Sequence, residues 1–199
     1  MRRKPAYILV ESSRFTSDEI LNKSLHLLHT ILSVCRQDPQ ALETVHLSLI
    51  VYGACPIEIL PLTSITEVKL PTYINTGYGC MLGKAMQFLS HKIKSDLLPM
   101  SSVRKGDWNP SLLLITSGES DDGFDGIDKY LKFYPATVIG TDITNHNVLE
   151  SIQNKLFTSY FGTRPISGFI PNGNNPLILD NVFEHSNNLP YLLMERIIS

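Results

Sequence analysis

Two short stretches gather side chains that could do chemistry: Glu11-Ser12-Ser13 and Ser117-Gly118-Glu119-Ser120-Asp121-Asp122. A carboxylate with hydroxyls beside it can hold a hard cation, which prefers oxygen ligands, or can move a proton. A third stretch, Gly77-Tyr78-Gly79-Cys80, puts two glycines ahead of a helical pattern, where an anion could settle on free backbone N–H groups. Its spacing matches neither the P-loop nor the dinucleotide fingerprint, so a turn requiring positive φ is the plainer reading. His26 and His29 stand three residues apart, as metal ligands can, but no third ligand lies near, and a solvated helix face is expected. Ser117-Gly118 lacks the G-x-S-x-G elbow, and His46, His91, His146 and His185 have no context that makes any of them a base. The chain is therefore read as a non-enzyme.

These stretches need elements to position them. Ala6–Val10 is a continuous apolar run, the signature of a strand buried on both faces, and Glu11 follows it directly. Ser17-Asp18-Glu19 opens a helix with a capping hydroxyl and two acids. Leu21, Leu25, Leu28, Leu32 and Cys35 recur at helical spacing, and Pro39 ends the run. Val45–Tyr52 reads as a second strand, with Ile57–Leu60 pairing back as a short edge strand that tolerates Pro56 and Pro61. Leu82, Ala85, Met86, Leu89 and Ile93 form the buried face of a second helix. Leu97–Asn109 is a polar connection, and Ser111–Thr116 is a buried strand that delivers Ser117. A helix over Ile127–Phe133, a strand over Ala136–Gly140, a helix over Val148–Phe157, a last strand over Ser167–Ile170 and a helix over Leu189–Ile198 complete the pattern. Strands alternating with helices predict an α/β fold: a Rossmann-like, doubly wound, mostly parallel sheet with helices on both faces and one antiparallel edge strand. In such sheets ligands bind at the carboxyl ends of the strands, where Glu11 and Ser117 both fall.

Composition sets outer limits. The 199 residues fit one domain spanning 1–199, and 43% apolar with 18% charged residues is a globular balance. A net charge of −2 gives no nucleic-acid footprint, and Arg2-Arg3-Lys4 is a short basic start expected to be exposed. Cys35, Cys55 and Cys80 are odd in number and lack metal or redox spacing, which predicts free thiols in a reducing compartment. No apolar run approaches the roughly 20 residues of a membrane span, so a cytoplasmic protein that does not enter the membrane is expected.

Taken together, Tyr7–Ser13, Gln37-Asp-Pro39 with Ala41-Leu-Glu-Thr44, Pro61-Leu-Thr63, Gly79-Cys-Met-Leu-Gly83, and Lys105-Gly-Asp-Trp108 leading into Ile115-Thr-Ser-Gly-Glu119 resemble the von Willebrand factor A domain. The resemblance is to its bacterial TerY-like group, linked to tellurite resistance, and it covers residues 2–125; beyond them only the general fold is matched. It implies a bacterial stress-response setting and a protein partner, with an associated protein kinase or phosphatase as the candidate.

The resemblance also implies a metal-ion-dependent adhesion site, Asp-x-Ser-x-Ser after the first strand, a Thr before a later helix and an Asp at the end of the fourth strand. This chain departs from that pattern at most positions. The corresponding residues are Glu11, Ser13, Phe15, Cys80 and Ser117, of which only Ser13 is kept. A thiol replaces a hydroxyl, a benzyl group replaces another, and one carboxylate is gone. No cofactor is expected; weak Mg²⁺ held mainly through water is the most these oxygens would support. Glu11, if buried without an ion, needs compensation, and Arg14 or Lys84 is expected to supply it. The expected function is a protein-interaction module that contacts its partner through Glu11, Ser13, Arg14, Phe15, Tyr78, Glu119, Asp121 and Asp122. A Mg²⁺- or Mn²⁺-dependent binder with a remodelled site is the alternative, ahead of a small-molecule hydrolase.

Overall fold

Strand β1 (Lys4–Glu11) runs through the middle of the sheet, and every one of its residues is buried. The computed structural model describes residues 2–123, 134 and 136–141, and the backbone of 177–178. The expected elements over Ile127–Phe133, Val148–Phe157, Ser167–Ile170 and Leu189–Ile198 lie outside the described residues. After β1 come α1 (Asp18–Cys35), α2 (Pro39–Thr44), β2 (Val45–Tyr52), β3 (Pro56–Ser64), α3 (Leu82–Asp96), β4 (Ser111–Thr116), β5 (Ala136–Gly140) and β6 (Leu177–Ile178). The sheet order is β3-β2-β1-β4-β5-β6. All pairings are parallel except β2 with β3, which places the antiparallel strand at the edge.

The alternation of side chains along β1 divides the core in two. Ala6, Ile8 and Val10 face α1, where they pack with Leu21, Leu28 and Ile31. Tyr7 and Leu9 face α3, against Leu82, Met86 and Leu89. Both faces of the central strands are thus covered by helices, which is why those strands are apolar without a polar alternation. The chain leaves β1 toward β2 on one side and returns to β4 on the other. Its switch point therefore lies between the carboxyl ends of β1 and β4.

Several expectations are corrected. Edge strand β3 runs the length of Pro56–Ser64, not just Ile57–Leu60. It accommodates the extra length through register irregularities opposite Leu47–Ile50. Helix α2 was not foreseen; its signal is Asp38-Pro39, in which the Asp38 side chain accepts from Ala41 N–H at 2.7 Å and proline takes the first turn. The basic start is not exposed. Arg3 forms a two-pronged pair with Asp107, with Nε to Oδ1 at 3.0 Å and Nη2 to Oδ2 at 2.5 Å. Arg2 lies over the Trp108 ring at 3.8 Å, and Lys4 is buried. The connection before β4 is consequently an ordered clamp: Asp107 also accepts from Leu98 N–H, and Trp108 N–H donates to the Arg3 carbonyl.

Candidate functional site

Glu11 ends β1 at the switch point with 1% of its surface exposed. An acidic side chain so deep must be met by donors or cations. Here donors meet it. Ser13 Oγ–H donates to Oε1 at 2.5 Å. Thr116 Oγ1–H and Ser117 N–H donate to Oε2 at 2.8 and 2.7 Å, and Ser117 Oγ lies within 2.9 Å of both oxygens. Tyr52 O–H approaches Oε2 at 3.5 Å. The extra methylene of Glu relative to Asp lets the side chain span from β1 to the end of β4.

The cation expected beside Glu11 is not Arg14 or Lys84. Arg14 Nη2 pairs with Asp121 Oδ1 at 2.6 Å, and its guanidinium lies over the Phe15 ring at 4.7 Å. Lys84 contributes its backbone N–H to Asp122. Among the described residues no ion pair reaches Glu11.

Cys80 sits in the same buried layer, with its Sγ–H donating to the Glu119 carbonyl at 3.0 Å. Burial, reinforced by the neighbouring Glu11 carboxylate, pushes its thiol well above the ordinary range and keeps it protonated. The same two causes raise the Tyr52 phenol.

Glu119–Asp122 crosses over this layer. Cys80 N–H donates to Asp121 Oδ2 at 2.9 Å, and Asp121 N–H donates to the Cys80 carbonyl at 2.6 Å. Asp122 accepts from Gly83 N–H at 3.0 Å and Lys84 N–H at 2.8 Å. Helix α3 begins at Met81 without a side-chain cap of its own, so Asp122 caps it from another loop. Sequence reasoning missed this bond because nothing local couples residues so far apart.

The glycines of the third stretch serve close approach, not positive φ. A Cβ on Gly77 would stand 2.5 Å from the Ser12 carbonyl oxygen, and one on Gly53 would stand 2.6 Å from the same atom. Gly77 N–H donates to that oxygen at 3.0 Å, which brings residues 75–79 against the end of β1.

Of the expected contact residues, Glu11 and Ser13 are withdrawn from the surface and support the face from below. Tyr78 is 91% exposed and Phe15 39%, with Arg14, Asp121 and Asp122 also on the surface and Glu119 half-buried. As arranged, the layer does not fit a hard cation. The Glu11 oxygens are already occupied by donors, Phe15 offers no oxygen, Cys80 offers a protonated sulfur, and Asp121 and Asp122 turn to backbone N–H groups. Among the described residues no group of three or more His, Cys, Asp or Glu is placed to hold a metal ion. No helix there is long and apolar enough to cross a membrane.

No family model and no curated protein matches the chain. Solved structures do. An aerotolerance-related membrane protein from Bacteroides fragilis, crystallised with multiple mutations to serines, matches 97% of this chain and 98% of its own at 16% identity, with a TM-score of 0.56. The conserved hypothetical protein BatB from Bacteroides thetaiotaomicron matches 97% of this chain and 96% of its own at 14% identity, with a TM-score of 0.56. The ArnB paralog VWA2 from Sulfolobus acidocaldarius matches 78% of this chain and 40% of its own at 15% identity, with a TM-score of 0.53. Identities this low speak to fold alone, and the fold is that of the von Willebrand factor A domain.

Proposed function

We propose that this chain is a non-enzymatic protein-interaction module that works without a metal ion and contacts its partner through the rim of the loops at the strand carboxyl ends. The observation that carries the reading is the division of that end into a buried floor and an exposed rim. The floor is Glu11 with its hydroxyl and amide donors. The rim offers Tyr78 and Phe15, aromatic area of the kind that anchors interfaces, flanked by Arg14, Asp121 and Asp122. The groups at this switch point are buried and hydrogen-bonded to one another, which supports a binding role over a catalytic one.

The Bacteroides fragilis neighbour described as aerotolerance-related supports a stress-related role, and the TerY-like resemblance narrows it to a tellurite-resistance-like system in the cytoplasm, with an associated kinase or phosphatase as partner. Two measurements test the reading. Calorimetric titration of the chelator-stripped protein with Mg²⁺ and Mn²⁺ is expected to give no saturable heat. A control carrying Glu11→Asp, Phe15→Ser, Cys80→Thr and Ser117→Asp together is expected to bind. Saturable one-site binding by the natural chain, lost in Glu11→Ala, would instead establish the metal-dependent alternative. In cells, a photo-crosslinking residue at position 78 should capture a discrete partner, with capture lost in Phe15→Ser. A residue at 103, also exposed but in the turn between α3 and β4, should not capture it.

A further inference from the structure

The segment lying over Cys80 is bounded by two glycines in the left-handed region, Gly118 (φ 86°) and Gly123 (φ 73°). Only glycine rotates freely there, so each is a ready pivot. Between them stand Glu119, Ser120, Asp121 and Asp122, none of them apolar, so no hydrophobic burial of their own holds the segment down. What holds it is a set of polar bonds: Arg14 with Asp121 and Asp122 with the start of α3 at the surface, and, partly buried, Cys80 with Asp121 and Glu119 with Cys80 Sγ–H and Ser117 Oγ. The exposed bonds among these exchange readily with water, and segments with little apolar burial open well before a domain unfolds.

We propose that residues 118–123 form a hinged strap that swings off Cys80 while the rest of the domain stays folded, so that the Glu11, Ser13 and Ser117 layer is gated, not permanently sealed. The inference rests on the chain's own geometry and stands whether or not the rim takes a partner. It assigns four residues distinct work. Arg14 and Asp121 are a surface latch, Asp122 is a second latch on α3, and Cys80 is the group that opening uncovers.

The chain carries its own reporters. Cys80 and Cys35 are both buried, but Cys35 lies in the core between α1 and the sheet, away from the strap. Burial raises its thiol to about 11, so neither cysteine reacts until uncovered. In a Cys55→Ser background, which removes the exposed thiol, modification by a thiol reagent is followed at each site by mass spectrometry under native conditions. Cys80 is expected to react at least about tenfold faster than Cys35, because local opening is more frequent than global unfolding. Arg14→Ala and Asp121→Asn are each expected to raise the Cys80 rate several-fold and leave the Cys35 rate unchanged. Hydrogen exchange at the Gly83 and Lys84 amides should speed up with it, a readout that does not depend on thiol chemistry. Equal rates at Cys80 and Cys35 in the natural chain, rising together with denaturant, would overturn the proposal. So would a Cys80 rate that neither latch variant moves.

Discussion

At the scale of single residues, Glu11 shows how one methylene redirects a site. A shorter carboxylate at the end of β1 would stay near its own turn, whereas Glu11 reaches the hydroxyl and N–H donors at the end of β4. The cost of burying the side chain is offset by several short hydrogen bonds, each weakened little by competing water. Removing it strands the Ser117 N–H, which cannot rotate away as the hydroxyls can. Glu11→Ala is therefore expected to destabilise the protein by about 2–4 kcal/mol, and Glu11→Gln by clearly less because it keeps an acceptor and the shape. Urea denaturation of the three proteins checks this; a neutral Glu11→Ala would mean that the side chain is solvated.

At the scale of elements, the two long helices are built differently at their starts. Helix α1 carries its own cap, Ser17 accepting from Ile20 N–H, with Asp18 and Glu19 in its first turn. Helix α3 has neither, and borrows the Asp122 carboxylate. Its register and its buried face still follow from the apolar spacing, since Leu82, Ala85, Met86, Leu89 and Ile93 are all buried. Its first turn depends on a loop that arrives later in the chain. Asp122→Ala is expected to lower stability by about 1 kcal/mol, the ordinary value of a lost N-cap, whereas Asp18→Ala, at an exposed position beside an intact cap, should cost less. Thermal unfolding of the two variants distinguishes the borrowed cap from the intrinsic one.

At the scale of the molecule, the chain is closed at both ends of its sheet by pairs distant in sequence. At the carboxyl end these are Glu11 with Thr116 and Ser117; at the opposite end, Arg3 with Asp107. Burial alone would raise the Asp107 carboxyl, but the Arg3 guanidinium and the Leu98 N–H together outweigh it and leave the group below its ordinary value of 3.8. A carboxylate with a lowered folded-state pKa adds stability above its unfolded value and loses it as pH falls through the folded value. Asp107→Asn is therefore expected to cost about 1.5–3 kcal/mol at neutral pH, and the difference from the natural protein should shrink as pH falls below about 4. Denaturation curves taken from pH 7 to pH 3 test both the size and the sign.

The amino-acid sequence alone determined the class of fold and most of the elements among the described residues, because hydrophobic periodicity, caps and prolines act locally. The Val45–Tyr52 and Ser111–Thr116 strands, the Ser17 cap and the buried face of α3 all follow from residues within a turn or two. It also set Glu11 and Ser117 at the carboxyl ends of strands, where ligands bind in such sheets, and the family resemblance added Cys80 to them. Only the tertiary structure decided what they do there. Whether Glu11 faces a cation, water or a ring of donors depends on side-chain reach between β1 and β4, and Arg14 was free by sequence to serve either Glu11 or Asp121. The same holds for Gly77, whose need for glycine comes from the Ser12 carbonyl against it and not from its own φ. Contacts between residues far apart in the chain are set by how the elements pack, and no local pattern in the sequence encodes them.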